Sequence, residues 1–245
     1  MKLKLNKSFI VIIILSVCLL FLVINQRNLY KQINNKEHSI TVVSNNSIST
    51  EKKIEETSDN PKYKIKVYYP FTGYEKLNKE IKTQIDNRVN NFKEEALDHV
   101  AQKNQYYTLD ITYDSYQYNE YISYVFHIST YLGGAHPGTV IWSVTYNKNT
   151  NKIIDINTLK EKNEKILDII SIESEKSLMN DKRLDAKNNK VVEEMVLEGT
   201  RPTRENFKNL AFSNEGLIVF FEQYQVAPYS YGEFHITIPY NKLKI

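Results

Sequence analysis

One apolar segment, Phe9 to Ile24, stands alone near the N-terminus, and everything after it has the mixed composition of a folding domain. Lys2, Lys4 and Lys7 precede the segment and Asn25-Gln26-Arg27 close it, the order expected of a chain threaded outward through a membrane. Its sixteen residues make roughly 24 Å of helix, short against a hydrocarbon core of about 30 Å, though Leu3 and Leu5 could lengthen it. Residues 1–24 read as a cytoplasmic stub with a membrane anchor or as a signal peptide, and because no small-x-small cleavage pattern follows Ile24 the sequence favours an uncleaved single-pass anchor over residues 9–24 with the C-terminal part extracellular. Cys18 lacks the small preceding residue that lipidation requires and reads as a lipid-buried side chain.

Because Cys18 is the only cysteine, the exported part can form neither a disulfide nor a thiolate metal site. It must be held by a packed core, and residues 61–245 suffice for one domain or two small fused ones burying roughly 70% of the unfolded surface. The formal charge of +3 is an N-terminal effect: residues 1–60 carry eight Lys/Arg against five Asp/Glu, leaving 24 of each beyond. A neutral folded part argues against nucleic acid, whose binding rests on a basic surface.

Residues 25–60 read as a stalk or linker, with Asn45-Asn46-Ser47 and Glu51-Lys52-Lys53 among scattered apolar positions. From Tyr63 the chain alternates, Tyr63, Ile65, Val67 and Tyr69 on one face and Lys64 and Lys66 on the other, as in a half-buried strand. Thr72 and Glu75 have capping-box spacing, and Leu77, Ile81, Ile85, Val89, Phe92, Ala96 and Val100 recur every three or four residues. That spacing predicts a long amphipathic helix over 74–103.

Two further alternating runs, Tyr107 to Tyr113 and Ile122 to Ile128, predict antiparallel neighbours joined through Tyr118-Asn119-Glu120. Val140, Trp142, Val144 and Tyr146 share one face of the next strand, and Asn147 to Asn151 reads as a turn into Ile153-Ile154-Asp155-Ile156. Thr158-x-x-Glu161 predicts a second helix to about 182, and Val191, Val192, Met195 and Val196 a shorter third. Leu217 to Phe221 is continuously apolar, as in a strand covered on both faces, and Phe234, Ile236 and Ile238 alternate in a last strand. The expected fold is α+β, antiparallel sheet packed with one long and one or two shorter helices behind the transmembrane anchor, with a possible sub-boundary near 115.

The loop Gly133-Gly134-Ala135-His136-Pro137-Gly138 holds three of the seven glycines and would fix His136 in an exposed position. It reads as a contact loop around Gly133, Gly134 and His136, as the seat of a general base at His136, or as a tight turn with a structural histidine. The stretch Glu222 to Gly232 places Tyr224, Tyr229 and Tyr231 between two strands, flat apolar area suited to a sugar or a protein partner, or to a core. No two histidines have helical ligand spacing and no nucleophile motif appears, so no metal, cofactor or catalytic residue beyond His136 is predicted.

These stretches, with the Tyr63–Tyr69 strand, the Tyr131-to-His136 loop, the Tyr146-to-Leu159 turn and Gln223-Tyr224-Gln225-Val226-Ala227-Pro228-Tyr229, resemble the extracellular domain of the anti-sigma-V factor RsiV and the N-terminal domain of PdaC-type peptidoglycan deacetylases. The resemblance covers about residues 61–245. It implies an exported module whose partner is peptidoglycan or a wall-active protein such as lysozyme. No sigma factor is expected, since only Met1 to Ser8 precede the apolar run, and the deacetylase catalytic domain would follow beyond Ile245. The reading is a membrane-anchored extracellular binding module of the cell envelope, with a hydrolase using His136 and carboxylates, or an envelope-assembly component, as alternatives.

Overall fold

The computed structural model describes residues 38–40, 49–98 and 105–243. The expected anchor, most of the expected linker and the end of the long helix lie outside the described residues. Among the described residues no helix is long and apolar enough to cross a membrane.

A seven-stranded sheet runs in sequence order: β1 (His38–Ile40), β2 (Thr50–Asp59), β3 (Lys62–Phe71), β4 (Tyr107–Tyr118), β5 (Tyr121–Tyr131), β6 (Gly138–Asn147) and β7 (Lys152–Ile154). One side of it is covered by α1 (Glu75–Asp98), which presents Leu77, Ile81, Ile85, Val89, Phe92 and Ala96 to the core. There they meet Tyr63, Ile65, Val67 and Tyr69, all buried as the alternation requires, with Leu109, Ile111, Phe126 and Val144. The expected capping pair is replaced by a different one. Asn78 reaches back, its Oδ1 accepting from the Thr72 amide at 2.8 Å and its Nδ2 donating to the Thr72 carbonyl at 2.7 Å, while Thr72 Oγ1 accepts from the Tyr74 amide.

The sheet is mixed and not wholly antiparallel. β3 and β4 pair in parallel, Tyr63 opposite Tyr107 and Val67 opposite Ile111, because α1 carries the chain back to the end of the sheet where β3 began. The other pairings described are antiparallel, and β4 turns into β5 through Asn119-Glu120 with Asn119 at φ 50°, a left-handed position that asparagine tolerates. β4 runs unbroken through residue 115.

Strand β2 occupies the last ten residues before Asn60 of what reads as linker. Its composition is polar, and only Ile54 is buried. Its carboxylate Glu56 sits beneath α1, bonded by Lys93 at 2.5 Å and by the Tyr63 hydroxyl. The partners that make a strand of this segment come from other elements.

The rest of the chain builds a second, three-stranded antiparallel sheet in the order β10 (Phe234–Ile238), β9 (Leu217–Phe221), β8 (Leu210–Phe212). Every residue of central β9 is buried, as its unbroken apolar run predicts. One face packs on α2 (Ile156–Lys162), α3 (Ile166–Met179), α4 (Lys190–Gly199) and α5 (Tyr240–Leu243). The expected helix from 158 to 182 is two helices: Asp155 caps α2 by accepting from the Thr158 amide at 2.9 Å, and Asn163, in extended conformation, breaks the chain before α3. The helices beyond α1 thus number four among the described residues, against the one or two expected.

The second sheet's other face meets the back of β5 and β6 through Val125, Ile141, Ala211, Ile218 and Phe220. A polar seam runs beside this contact. Ser123 Oγ accepts from the Phe212 amide at 3.0 Å, Ser143 Oγ from the Leu210 amide at 2.8 Å, and Asn209 bridges the Ser143 amide and the Ile141 carbonyl. Each buried polar group in it has a partner, which fixes the register of one sheet on the other.

Candidate functional site

The two stretches singled out in the sequence come together. After β5, Gly133 and Gly134 adopt φ 94° and 104°, a region glycine enters without strain, and the Tyr131 hydroxyl donates to the Gly134 carbonyl at 3.0 Å. This turns the loop so that the exposed imidazole of His136 lies flat on the Tyr229 ring, centroids 3.8 Å apart at 21°. The Tyr229 hydroxyl donates to the Pro137 carbonyl at 3.4 Å, and His136 Nδ1 faces the same carbonyl at 3.1 Å. Tyr224 extends the array, 5.7 Å from Tyr229 and 58% exposed.

The loop that carries the tyrosines is pinned from below. Gln225 donates from Nε2 to the carbonyls of Gly199 and Asn206, at 3.1 and 3.0 Å, and accepts at Oε1 from the Glu222 amide. Val226 and Ala227 are buried in the core. Held this way, Tyr224 sits at φ 66°, a left-handed conformation that a bulky side chain adopts only where its surroundings impose it. Tyr231 shares the 3-10 turn with Tyr229 and is exposed, but among the described residues no ring contact joins it to the other three. Gly133 and Gly134 contribute backbone shape to the site.

A second arrangement was not foreseen. His127, on the back of β5, lies between two carboxylates, Nε2 at 3.1 Å from Asp114 of β4 and Nδ1 at 3.1 Å from Glu233 in the turn before β10. As an imidazolium it donates to both, which leaves neither nitrogen free for a metal. The Glu233 bond raises its pKa above the usual histidine value, burial opposes this, and Asp114 adds to the rise. Alternation in β5 placed His127 opposite Phe126, but Glu233 is 106 residues away in the chain, beyond the reach of any local pattern.

The raised pKa has a definite sign. The stability this contact contributes is fully present below the unfolded histidine value of about 6.5 and is lost as pH rises through the higher folded value. Melting temperatures of the native chain and of His127→Gln, followed from about pH 5.5 to about pH 8.5, are therefore expected to converge as pH rises. A gap between them that is constant or widens with pH would exclude the ion pair as its source.

Two family matches divide the chain at this site. The family described as deacetylase PdaC matches residues 56–139, and a protein family of unknown function, DUF3298, matches residues 156–241. His136 thus comes from the first and Tyr224 and Tyr229 from the second. The chain is 27% identical over 192 residues to the peptidoglycan-N-acetylmuramic acid deacetylase PdaC of Bacillus subtilis (strain 168), an alignment covering 76% of this chain and 39% of that protein. The chain spans about two fifths of that relative's length. The fold is shared with the crystal structure of a DUF3298 family protein from Pseudomonas aeruginosa PAO1, TM-score 0.58 at 12% identity, over 86% of this chain and 94% of that one. The chain is thus similar to the PdaC-type N-terminal domain family over residues 56–139 and to the DUF3298 family of unknown function over residues 156–241.

Proposed function

We propose that this chain is an envelope-binding module, held at the membrane by residues 9–24, whose shelf of His136, Tyr229 and Tyr224 takes a sugar ring of the wall glycan. The observation that carries the reading is the exposed, stacked shelf, assembled from both halves of the fold and fixed by Gln225. Flat rings with polar edges, preorganised before the ligand arrives, suit the C–H face of a pyranose at small entropic cost. The name of the Bacillus relative supports peptidoglycan as the source of that ring. His136 faces a carbonyl and a tyrosine, while the imidazole set between carboxylates is His127, so the arrangement favours contact over hydrolysis at His136.

The test is calorimetric titration of the chain with soluble peptidoglycan fragments, and with lysozyme in parallel. Saturable binding of fragments is expected, weakened about tenfold in Tyr229→Ala, since loss of one stacking ring is worth roughly 1 kcal/mol or more. Fragment affinity unchanged by Tyr229→Ala, or binding of lysozyme alone, would overturn the assignment.

A further inference from the structure

Among the described residues, Arg88 is a cation with no carboxylate at ion-pair distance. It lies half-buried on α1, its guanidinium carbon 6.0 Å from the centre of the Trp142 ring on β6. Burial depresses its pKa, and the Glu222 carboxylate partly offsets this from a distance. Its Nε is buried without a hydrogen-bond partner, and among the described residues no carboxylate lies within ion-pair distance of it. Glu222, which opens the tyrosine loop, mirrors it: Oε1 is buried and unbonded, while Oε2 is 3.5 Å from Lys208. Native interiors rarely leave charged groups unsatisfied, and such groups mark places where a ligand or water completes the set.

The surroundings point to what would complete it. Trp142 is partly exposed and also stacks on Phe126 at 4.7 Å. β7 pairs only with Thr145, Tyr146 and Asn147, and Asn209 covers the edge at Ser143 and Ile141. From exposed Val140 back to Gly138 the outer edge of β6 carries no strand among the described residues, and it leads directly to Pro137, where Tyr229 is bonded. Trp142 is five residues from Pro137, roughly 16 Å at about 3.3 Å per residue, so the indole and the shelf lie along one strand, with Asn209 on the stretch of its edge at Ile141 and Ser143.

We propose that Arg88, Trp142 and Glu222 form a subsite for a carboxylate-bearing sugar, the guanidinium fork pairing with the carboxylate, the indole receiving the ring's C–H face and Glu222 Oε1 accepting from a hydroxyl or amide N–H. This rests on the wall-glycan reading of the shelf and adds an acidic residue of that glycan to it. Arginine suits the task because its planar donors match a carboxylate in two parallel bonds.

Trp142 is the only tryptophan, so its fluorescence reports on this subsite directly. The probes are N-acetylmuramic acid, its neutral methyl ester, a neutral N-acetylglucosamine oligomer and a short peptide with a free carboxylate. The acid is expected to bind about tenfold more tightly than the ester, and Arg88→Met to erase that difference while melting no lower than the native chain. Arg88→Lys, which keeps charge and stem but loses the fork, is expected to weaken the acid severalfold, and it serves if Arg88→Met does not fold. Equal affinity for acid and ester in the native chain, discrimination that survives Arg88→Met, or a response to the peptide alone would each overturn the subsite. If the oligomer binds in a Tyr229-dependent way while acid and ester do not differ, the shelf stands and the subsite falls. If no sugar binds, both fall.

Discussion

A Gly199→Ala chain is expected to lose at least about 3 kcal/mol of folding stability, although alanine is the better helix former by about 1 kcal/mol. Gly199 ends α4, and a Cβ there would stand 2.1 Å from the Gln225 carbonyl oxygen, 2.9 Å from its carbon and 2.9 Å from Val226 Cγ1. Two of those atoms are backbone and cannot swing aside. Nor can the loop retreat, because Gln225 is bonded to the Gly199 and Asn206 carbonyls and Val226 is packed in the core. Overpacking typically costs about 1–3 kcal/mol, and clash with main chain on a doubly tethered segment belongs at or above the top of that range. Urea unfolding measures it, as a lower midpoint at unchanged slope. Gly73→Ala is the control, since a Cβ at Gly73 meets nothing within 4 Å. A midpoint matching the control would mean that the close approach of α4 to the tyrosine loop is wrong. The same substitution should weaken glycan binding in whatever fraction stays folded, because Tyr224 is one residue from the displaced carbonyl.

Truncation of Phe126 to alanine is expected to cost about 3–5 kcal/mol, roughly 10 °C in melting temperature for a domain of this size. Phe126 is fully buried at the middle of β5, stacked on Trp142 at 4.7 Å and in contact with Tyr113 at 5.8 Å. Neighbouring strands and α1 hold the surrounding side chains, so the cavity cannot collapse and its walls lose their dispersion contacts. Phe126→Leu keeps most of the volume and should cost less than half as much. The loss also removes one support of Trp142, whose emission should move toward that of a wetter indole before any unfolding. A cost below about 1 kcal/mol for Phe126→Ala would show that this side of the sheet is loosely packed.

Both experiments act where distant segments meet, and those meetings divide what was legible from what was not. The faces of β3, α1, β5 and β10 were readable because each repeats a two- or 3.6-residue period, and a period states which side is buried without reference to any partner. The turn at Asn119 and the central place of β9 were readable for similar local reasons, a residue that tolerates positive φ and an unbroken apolar run. The parallel pairing of β3 with β4 had a visible sign in strand, long helix, strand, but the hairpins around it carried the reading toward an antiparallel sheet.

Strand β2 shows the opposite case. Its residues prefer solvent, and it is a strand because β3 offers it a ladder and because Lys93 and Tyr63 receive Glu56 beneath α1. The candidate site divides in the same way. The unusual composition of the glycine loop and of the tyrosine stretch marked both in the sequence, whereas the stacking of His136 on Tyr229 and the clasp of His127 by Asp114 and Glu233 arise only when the second sheet docks on the first, and the seat of Arg88 over Trp142 only when α1 packs on the first sheet. The sequence by itself determined which surfaces must be hidden, because periodicity and turn chemistry are properties of a few neighbouring residues. The tertiary structure decided which hidden surfaces meet, because strand direction, sheet register and the partners of charged groups depend on contacts between residues far apart in the chain.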